Sequence, residues 1–126
     1  MSPMKVMIVE DEVIAALATQ KMLQKLGFEV CGNVTTGEDA LAAVDDGCPD
    51  LVIMDVYLDG ELDGIETAER LQQLRDVPVI YVTAYSDDAT RARASATHPL
   101  AYLVKPLDMS LLEKALEGLT RPTTHT

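Results

Sequence analysis

The run Val6-Met7-Ile8-Val9, closed at once by Glu10-Asp11-Glu12, and its counterpart Leu51-Val52-Ile53-Met54, closed by Asp55, decide the fold class of this chain. Each is a short, unbroken apolar stretch, the pattern of a strand covered on both faces, and each surfaces abruptly in carboxylates. Pro78 to Val82, ahead of Thr83-Ala84, and Ala101 to Val104, ahead of Lys105-Pro106, repeat the pattern, and Phe28 to Val34 reads as the remaining strand.

Amphipathic stretches alternate with these runs. From Val13 to Leu26 the residues Val13, Leu17, Met22 and Leu26 recur at helical spacing, and Gly27 is placed to end the helix. Thr35 or Thr36 can cap a helix to about Asp46, with Glu38 or Asp39 near its positive end. After a loop holding Gly60 and Gly64, Ile65, Ala68, Leu71 and Leu74 mark a third helix. Ser86 is positioned to cap a fourth, over Asp87 to Ala96, and Asp108 to open a fifth ending near Leu119. Five β–α units with short connections imply a parallel sheet with helices on both faces. Residues 1–119 then form one domain, and 120–126 a flexible tail or the start of a linker.

Ten basic against 21 acidic residues leave a net charge of −11, which disfavours direct nucleic-acid binding. Cys31 and Cys48 lack ligand spacing, so the expectation is two free thiols in a reducing compartment rather than zinc. The acidic start is unlike a signal peptide, and no stretch has the apolar length of a membrane span. A cytoplasmic protein without membrane contact is expected.

In an open parallel sheet, ligands bind beyond the carboxyl ends of the strands, where the strand order reverses. Those ends carry Glu10-Asp11-Glu12, Asp55, Thr83 and Lys105. Converging carboxylates repel one another, and a hard divalent cation such as Mg²⁺ relieves this. An incoming phosphoryl group would meet that cation, the Lys105 ammonium, the Thr83 hydroxyl and backbone N–H groups after Asp55. A carboxylate can itself accept such a group as an aspartyl phosphate.

The motifs V-E-D-E (9–12), M-D (54–55), D-G (63–64), T-A (83–84) and K-P (105–106), in this order and spacing, strongly resemble the receiver domains of two-component response regulators, chemotaxis-regulator-like, from about Lys5 to Leu119. The resemblance implies a flavodoxin-like three-layer (βα)5 sandwich with a five-stranded parallel sheet of order 2-1-3-4-5. It implies Asp55 as phosphoacceptor and Mg²⁺, with Mn²⁺ as a substitute, held by Asp11, Asp55 and the Tyr57 carbonyl, with Glu10 acting through water. It further implies Thr83 as switch hydroxyl, Lys105 as cationic clamp, a cis Lys105-Pro106 bond and Tyr102 as aromatic switch. The implied partners are a sensor histidine kinase or histidine phosphotransfer protein, and a downstream protein or fused output domain reached through the face of the fourth helix, fifth strand and fifth helix. Homodimerisation on phosphorylation is compatible with this.

Two features depart from the family pattern. The segment Asp55–Gly64 has no proline and adds Asp59, Glu61 and Asp63, read as a solvated turn near the mouth of the site. Tyr57 and Tyr85 each lie two residues beyond a motif position, where their rings are expected to screen the site from water. His98 and His125 have no partners at ligand spacing, so the phosphoryl donor is another molecule. An aspartyl-phosphate phosphohydrolase would place a second Asp two residues after the nucleophile, where Tyr57 stands. A constitutive unphosphorylated adaptor would have no use for the full set of Glu10, Asp11, Asp55, Thr83 and Lys105. A non-enzymatic switch, catalysing only its own phosphorylation and dephosphorylation, is therefore expected.

Overall fold

The computed structural model describes residues 4–44 and 49–120. Five strands and five helices alternate: β1 Lys5–Val9, α1 Val13–Lys25, β2 Glu29–Val34, α2 Gly37–Val44, β3 Leu51–Met54, α3 Gly64–Leu74, β4 Val79–Thr83, α4 Asp88–Ser95, β5 Ala101–Val104 and α5 Met109–Thr120. All pairings are parallel, in the order β2-β1-β3-β4-β5. This is the flavodoxin-like (βα)5 fold expected from the sequence.

Strand alternation divides the core into two layers. Met7, Val9, Val52, Met54, Val79 and Tyr81 face α2, α3 and α4. Val6, Ile8, Leu51, Ile53, Ile80 and Val82 face α1 and α5. Apolar cover on both faces is why these strands read as unbroken hydrophobic runs.

Local signals set most helix ends. Gly27 adopts φ +93°, and the Gly27 and Phe28 N–H groups bond back to Gln24 and Leu23, so the glycine closes α1 as expected. The Asp63 side chain accepts from the Glu66 N–H at 2.8 Å while Glu66 returns a bond to the Asp63 N–H at 2.9 Å, a capping box on α3. The Asp39 N–H donates to Thr36, selecting Thr36 as the cap of α2. Gly60 turns the long β3–α3 connection at φ +97°.

Three expectations are corrected. The core-facing stripe of α1 is Ala16, Thr19 and Leu23, whereas Val13 and Leu17 are exposed, as is Leu74 on α3. Asp87, not Ser86, caps α4, accepting from the Thr90 N–H, because an N-cap side chain reaches the third helical residue. Cys31, the extra residue of the bulge on edge strand β2, is disulfide-bonded and not a free thiol. A disulfide depends on closeness in space, which spacing along the chain does not report. Asp46, Cys48, His125 and the tail from 121 lie outside the described residues, while Thr120 belongs to α5. Among the described residues, no helix is long and apolar enough to cross a membrane.

Candidate functional site

Register builds the site from the main chain outward. Val9 lies opposite Met54, so Glu10 and Asp55 leave the sheet as neighbours at the point where strand order reverses. The Glu10 N–H donates to Val34, the Asp55 N–H to Val9 and the Lys105 N–H to Thr83, at 3.0, 3.0 and 2.8 Å. The backbone ladder thus continues into three of the site residues and fixes where their side chains start.

Glu10, Asp11 and Asp55 each place a carboxylate oxygen within 4.8 Å of the others'. Glu10 and Asp55 are only 7% and 8% exposed. Lys105 spans the cluster, its Nζ 2.8 Å from Glu10 Oε1, 3.0 Å from Asp55 Oδ2 and 3.2 Å from Glu12 Oε1. Burial pushes the Glu10 carboxyl up to about 7, although the Lys105 ammonium and the Glu12 N–H pull it down. Burial likewise opposes charge on Lys105, but its hydrogen bonds to Glu10 and Asp55 prevail and raise it above the ordinary lysine range. An all-oxygen donor set of three close carboxylates, two of them nearly buried, suits a hard divalent cation and gives a transition metal preferring sulfur or nitrogen nothing to hold.

The Asp55 side opens into a cleft of about 260 Å³ bordered by Asp11, Asp55, Tyr57, Ala84, Tyr85 and Lys105. Thr83, fully buried at the end of β4, accepts a long 3.4 Å hydrogen bond from the Tyr85 N–H. Asp55 Oδ1 accepts from the Tyr57 N–H at 3.3 Å. The Tyr57 and Tyr85 rings meet edge to face, centroids 4.4 Å apart. Tyr102, half-buried on β5, donates its hydroxyl to the Tyr85 carbonyl at 2.6 Å. The Lys105-Pro106 bond is cis, as expected. Gly64 fits against the end of β3 because a Cβ there would overlap the Asp55 carbonyl oxygen.

The family model of the response regulator receiver domain matches residues 6–117. The chain belongs to this family. Among its relatives, the transcriptional regulatory protein PdtaR of Mycobacterium tuberculosis is 36% identical over 91% of this chain and 56% of its own length. The transcriptional regulatory protein ZraR of Salmonella typhimurium is 34% identical over 96% of this chain and 27% of its own. The receiver thus spans about half or less of these curated relatives. Among solved structures, the signal receiver domain of a modulated diguanylate cyclase from Desulfovibrio desulfuricans G20 superposes with a TM-score of 0.86 at 37% identity, covering 93% of both chains. A CheY-like receiver from Methanospirillum hungatei JF-1 gives 0.83 at 28% identity, covering 94% of both.

Several receiver residues have surroundings that sequence reading missed. Glu12, exposed at the head of α1, also reaches Lys105. Asp63 is not a free charge at the mouth of the site: it caps α3 and pairs with Arg93 at 2.9 Å. The Arg91 guanidinium carbon stands 4.6 Å over the Tyr102 ring. The Tyr57 hydroxyl lies 3.1 Å from Thr90 Oγ1 on α4. Asp87 and Thr90 had a legible signal, the three-residue cap spacing; the other contacts join different elements of the fold. His98, exposed with φ +55°, is the loop residue expected.

Proposed function

We propose that this receiver accepts a phosphoryl group on Asp55 from a histidine kinase or histidine phosphotransfer protein and thereby acts as a binding switch. The observation that carries the reading is the Lys105 ammonium held between the nearly buried Glu10 and Asp55 carboxylates, with Asp11 beside them. An Asp55 carboxylate oxygen attacks phosphorus in line. The new O–P bond forms as the donor's P–N or P–O bond breaks, and the donor departs with the electron pair and takes up a proton. Lys105 then meets negative charge on the phosphoryl oxygens, and Thr83 donates its hydroxyl to one of them. Asp11, Asp55 and the Tyr57 carbonyl would hold Mg²⁺ or Mn²⁺, with Glu10 acting through water; the ion would supply charge neutralisation.

The turning of Thr83 toward the phosphoryl group, with inward rotation of Tyr102, would remodel the α4–β5–α5 face for a protein partner or a fused output domain. We place this work in the cytoplasm, alongside the kinase, and assign no catalysis beyond self-phosphorylation and self-dephosphorylation. A phosphohydrolase is disfavoured because the Tyr57 hydroxyl, at the position of the expected acid, is engaged with Thr90. Incubation with a small phosphodonor and Mg²⁺, read by intact mass, is expected to add one phosphoryl group to wild type and none to Asp55→Asn. Unmodified wild type would refute the assignment.

A further inference from the structure

Tyr57 touches both the acceptor and a helix. Its N–H donates to Asp55 Oδ1, and its hydroxyl, two-fifths exposed ring and all, reaches the buried Thr90 in the first turn of α4. The Thr90 hydroxyl lies 2.9 Å from both carboxylate oxygens of Asp87. A carboxylate only accepts, so the single Thr90 hydroxyl proton goes to Asp87, and Tyr57 must be the donor to Thr90. Asp87 in turn caps α4 through the Thr90 N–H at 3.1 Å. Hydrogen bonds from the two ends of Tyr57 therefore join Asp55 to the cap of α4, a route distinct from the bonds of Tyr85 to Thr83 and Tyr102, against which the Tyr57 ring packs.

Resting on the phosphoacceptor reading of Asp55, we propose that Tyr57 is a positioning residue whose hydroxyl latches the first turn of α4 while Asp55 is a bare carboxylate and releases it on phosphorylation. The physical cause is local. Asp55 Oδ1 accepts from the Tyr57 N–H as part of a charged carboxylate, and with a phosphoryl group on Oδ2 it becomes a neutral carbonyl oxygen, a weaker acceptor. A phosphoryl group on Asp55 brings new acceptor oxygens to the same N–H and reorients the peptide that carries the ring. The phenol is rigid, so a small rotation at its Cα is a large displacement at its hydroxyl, and the bond to Thr90 cannot follow.

The experiment is hydrogen exchange of the α4 amides, Asp88–Ser95, in wild type, Tyr57→Phe and Thr90→Val. Each is measured with and without a small phosphodonor and Mg²⁺, with phosphoryl loading followed by intact mass. Phosphorylation is expected to speed α4 exchange in wild type by roughly two- to tenfold, the worth of one hydrogen bond. Both variants should exchange faster than wild type before phosphorylation and gain little from it; Thr90→Val, which also loses the hydroxyl bond to Asp87, should have the higher baseline, and the Tyr57→Phe/Thr90→Val double variant should match Thr90→Val. A purely structural role would raise the baseline but leave the phosphorylation factor unchanged, and an equal factor in wild type and Thr90→Val overturns the latch. Thr90→Val keeps Tyr57 and its main chain intact, so it carries the test if Tyr57→Phe loads poorly. Absence of added mass on wild type refutes the Asp55 assignment instead, and the two failures are thereby distinguished.

Discussion

Gly64→Ala sets two effects of opposite sign against each other. Gly64 opens α3, and in a helix alanine is preferred over glycine by about 1 kcal/mol, so propensity alone forecasts a more stable protein. The structure forecasts the reverse. A Cβ on Gly64 would fall inside the van der Waals radius of the Asp55 carbonyl oxygen and lie 2.9 Å from both the Asp55 carbonyl carbon and Met54 Cγ. The first two are main-chain atoms at the end of a central strand and cannot rotate away. Nor can the helix slide, because the Gly64 N–H is bonded to Val56 at 2.6 Å and Ile65, Ala68 and Leu71 are buried beyond it. Relief requires a shift of roughly an ångström, and overpacking of this kind costs about 1–3 kcal/mol. Less the propensity gain of about 1 kcal/mol, a net loss of up to about 2 kcal/mol is expected, or a fall in Tm of up to roughly 8 °C for a domain of this size. The same shift moves Asp55, so phosphorylation by a small phosphodonor should slow by up to about a hundredfold. Thermal unfolding and a mass-based time course read the two consequences. A variant as stable as wild type or more so, phosphorylating at the normal rate, would show that Asp55 and Gly64 are not in contact.

Leu71, fully buried between α3 and the sheet, should cost about 2–5 kcal/mol when replaced by alanine, read by urea denaturation. Tyr81 supplies a pH dependence: burial, only partly offset by its bond to Thr97, pushes its phenol up to about 12 from 10.0. The raised value means the folded state favours the neutral phenol, so this contribution is complete below pH 10 and lost as pH climbs toward 12. About 3 kcal/mol is at stake, and urea midpoints across that range should fall less steeply for Tyr81→Phe. Lys105→Met removes the ammonium that competes for Glu10 and Asp55, so Mg²⁺ affinity measured calorimetrically should rise, by roughly tenfold, while phosphorylation slows. Unchanged Mg²⁺ affinity would separate Lys105 from the cation site.

What the sequence disclosed follows from how locally each feature is encoded. β1, β3, β4 and β5 were legible because strands covered on both sides must be apolar throughout, and Glu10, Asp55, Thr83 and Lys105 were legible because each terminates such a run. α1 was misread for a physical reason. Its buried face consists of Ala16, Thr19 and Leu23, two of them small or polar, while Val13, Ile14 and Leu17 are exposed. A helix apolar on more than one side has no periodicity that selects its core face. The edge strand β2, largely half-buried, carries a bulge at Cys31 that no alternation pattern announces. Contacts between elements remote in sequence were invisible, since Tyr57 and Thr90 lie 33 residues apart and Lys105 and Glu12 lie 93 apart.

The two levels meet in the charge balance of the site. The chain's excess acidity, −11 overall, is uninformative as a total, yet locally it has a defined form: Glu10, Glu12 and Asp55 pair with the Lys105 ammonium, and Asp11 stands beside Glu10 and Asp55. With burial forcing Glu10 toward the neutral form, the cluster already resists its own charge. On the proposed reading, a divalent cation would relieve that resistance, and a phosphoryl group on Asp55 would restore negative charge at the same place. Because Asp55 Oδ2 would then cease to be a bare carboxylate oxygen, Lys105 would exchange partners as well. Addition of one group at Asp55 would therefore alter together the ion pairs that Lys105, at the end of β5, makes with Glu10, Glu12 and Asp55, and so carry a change confined to one side chain across β4.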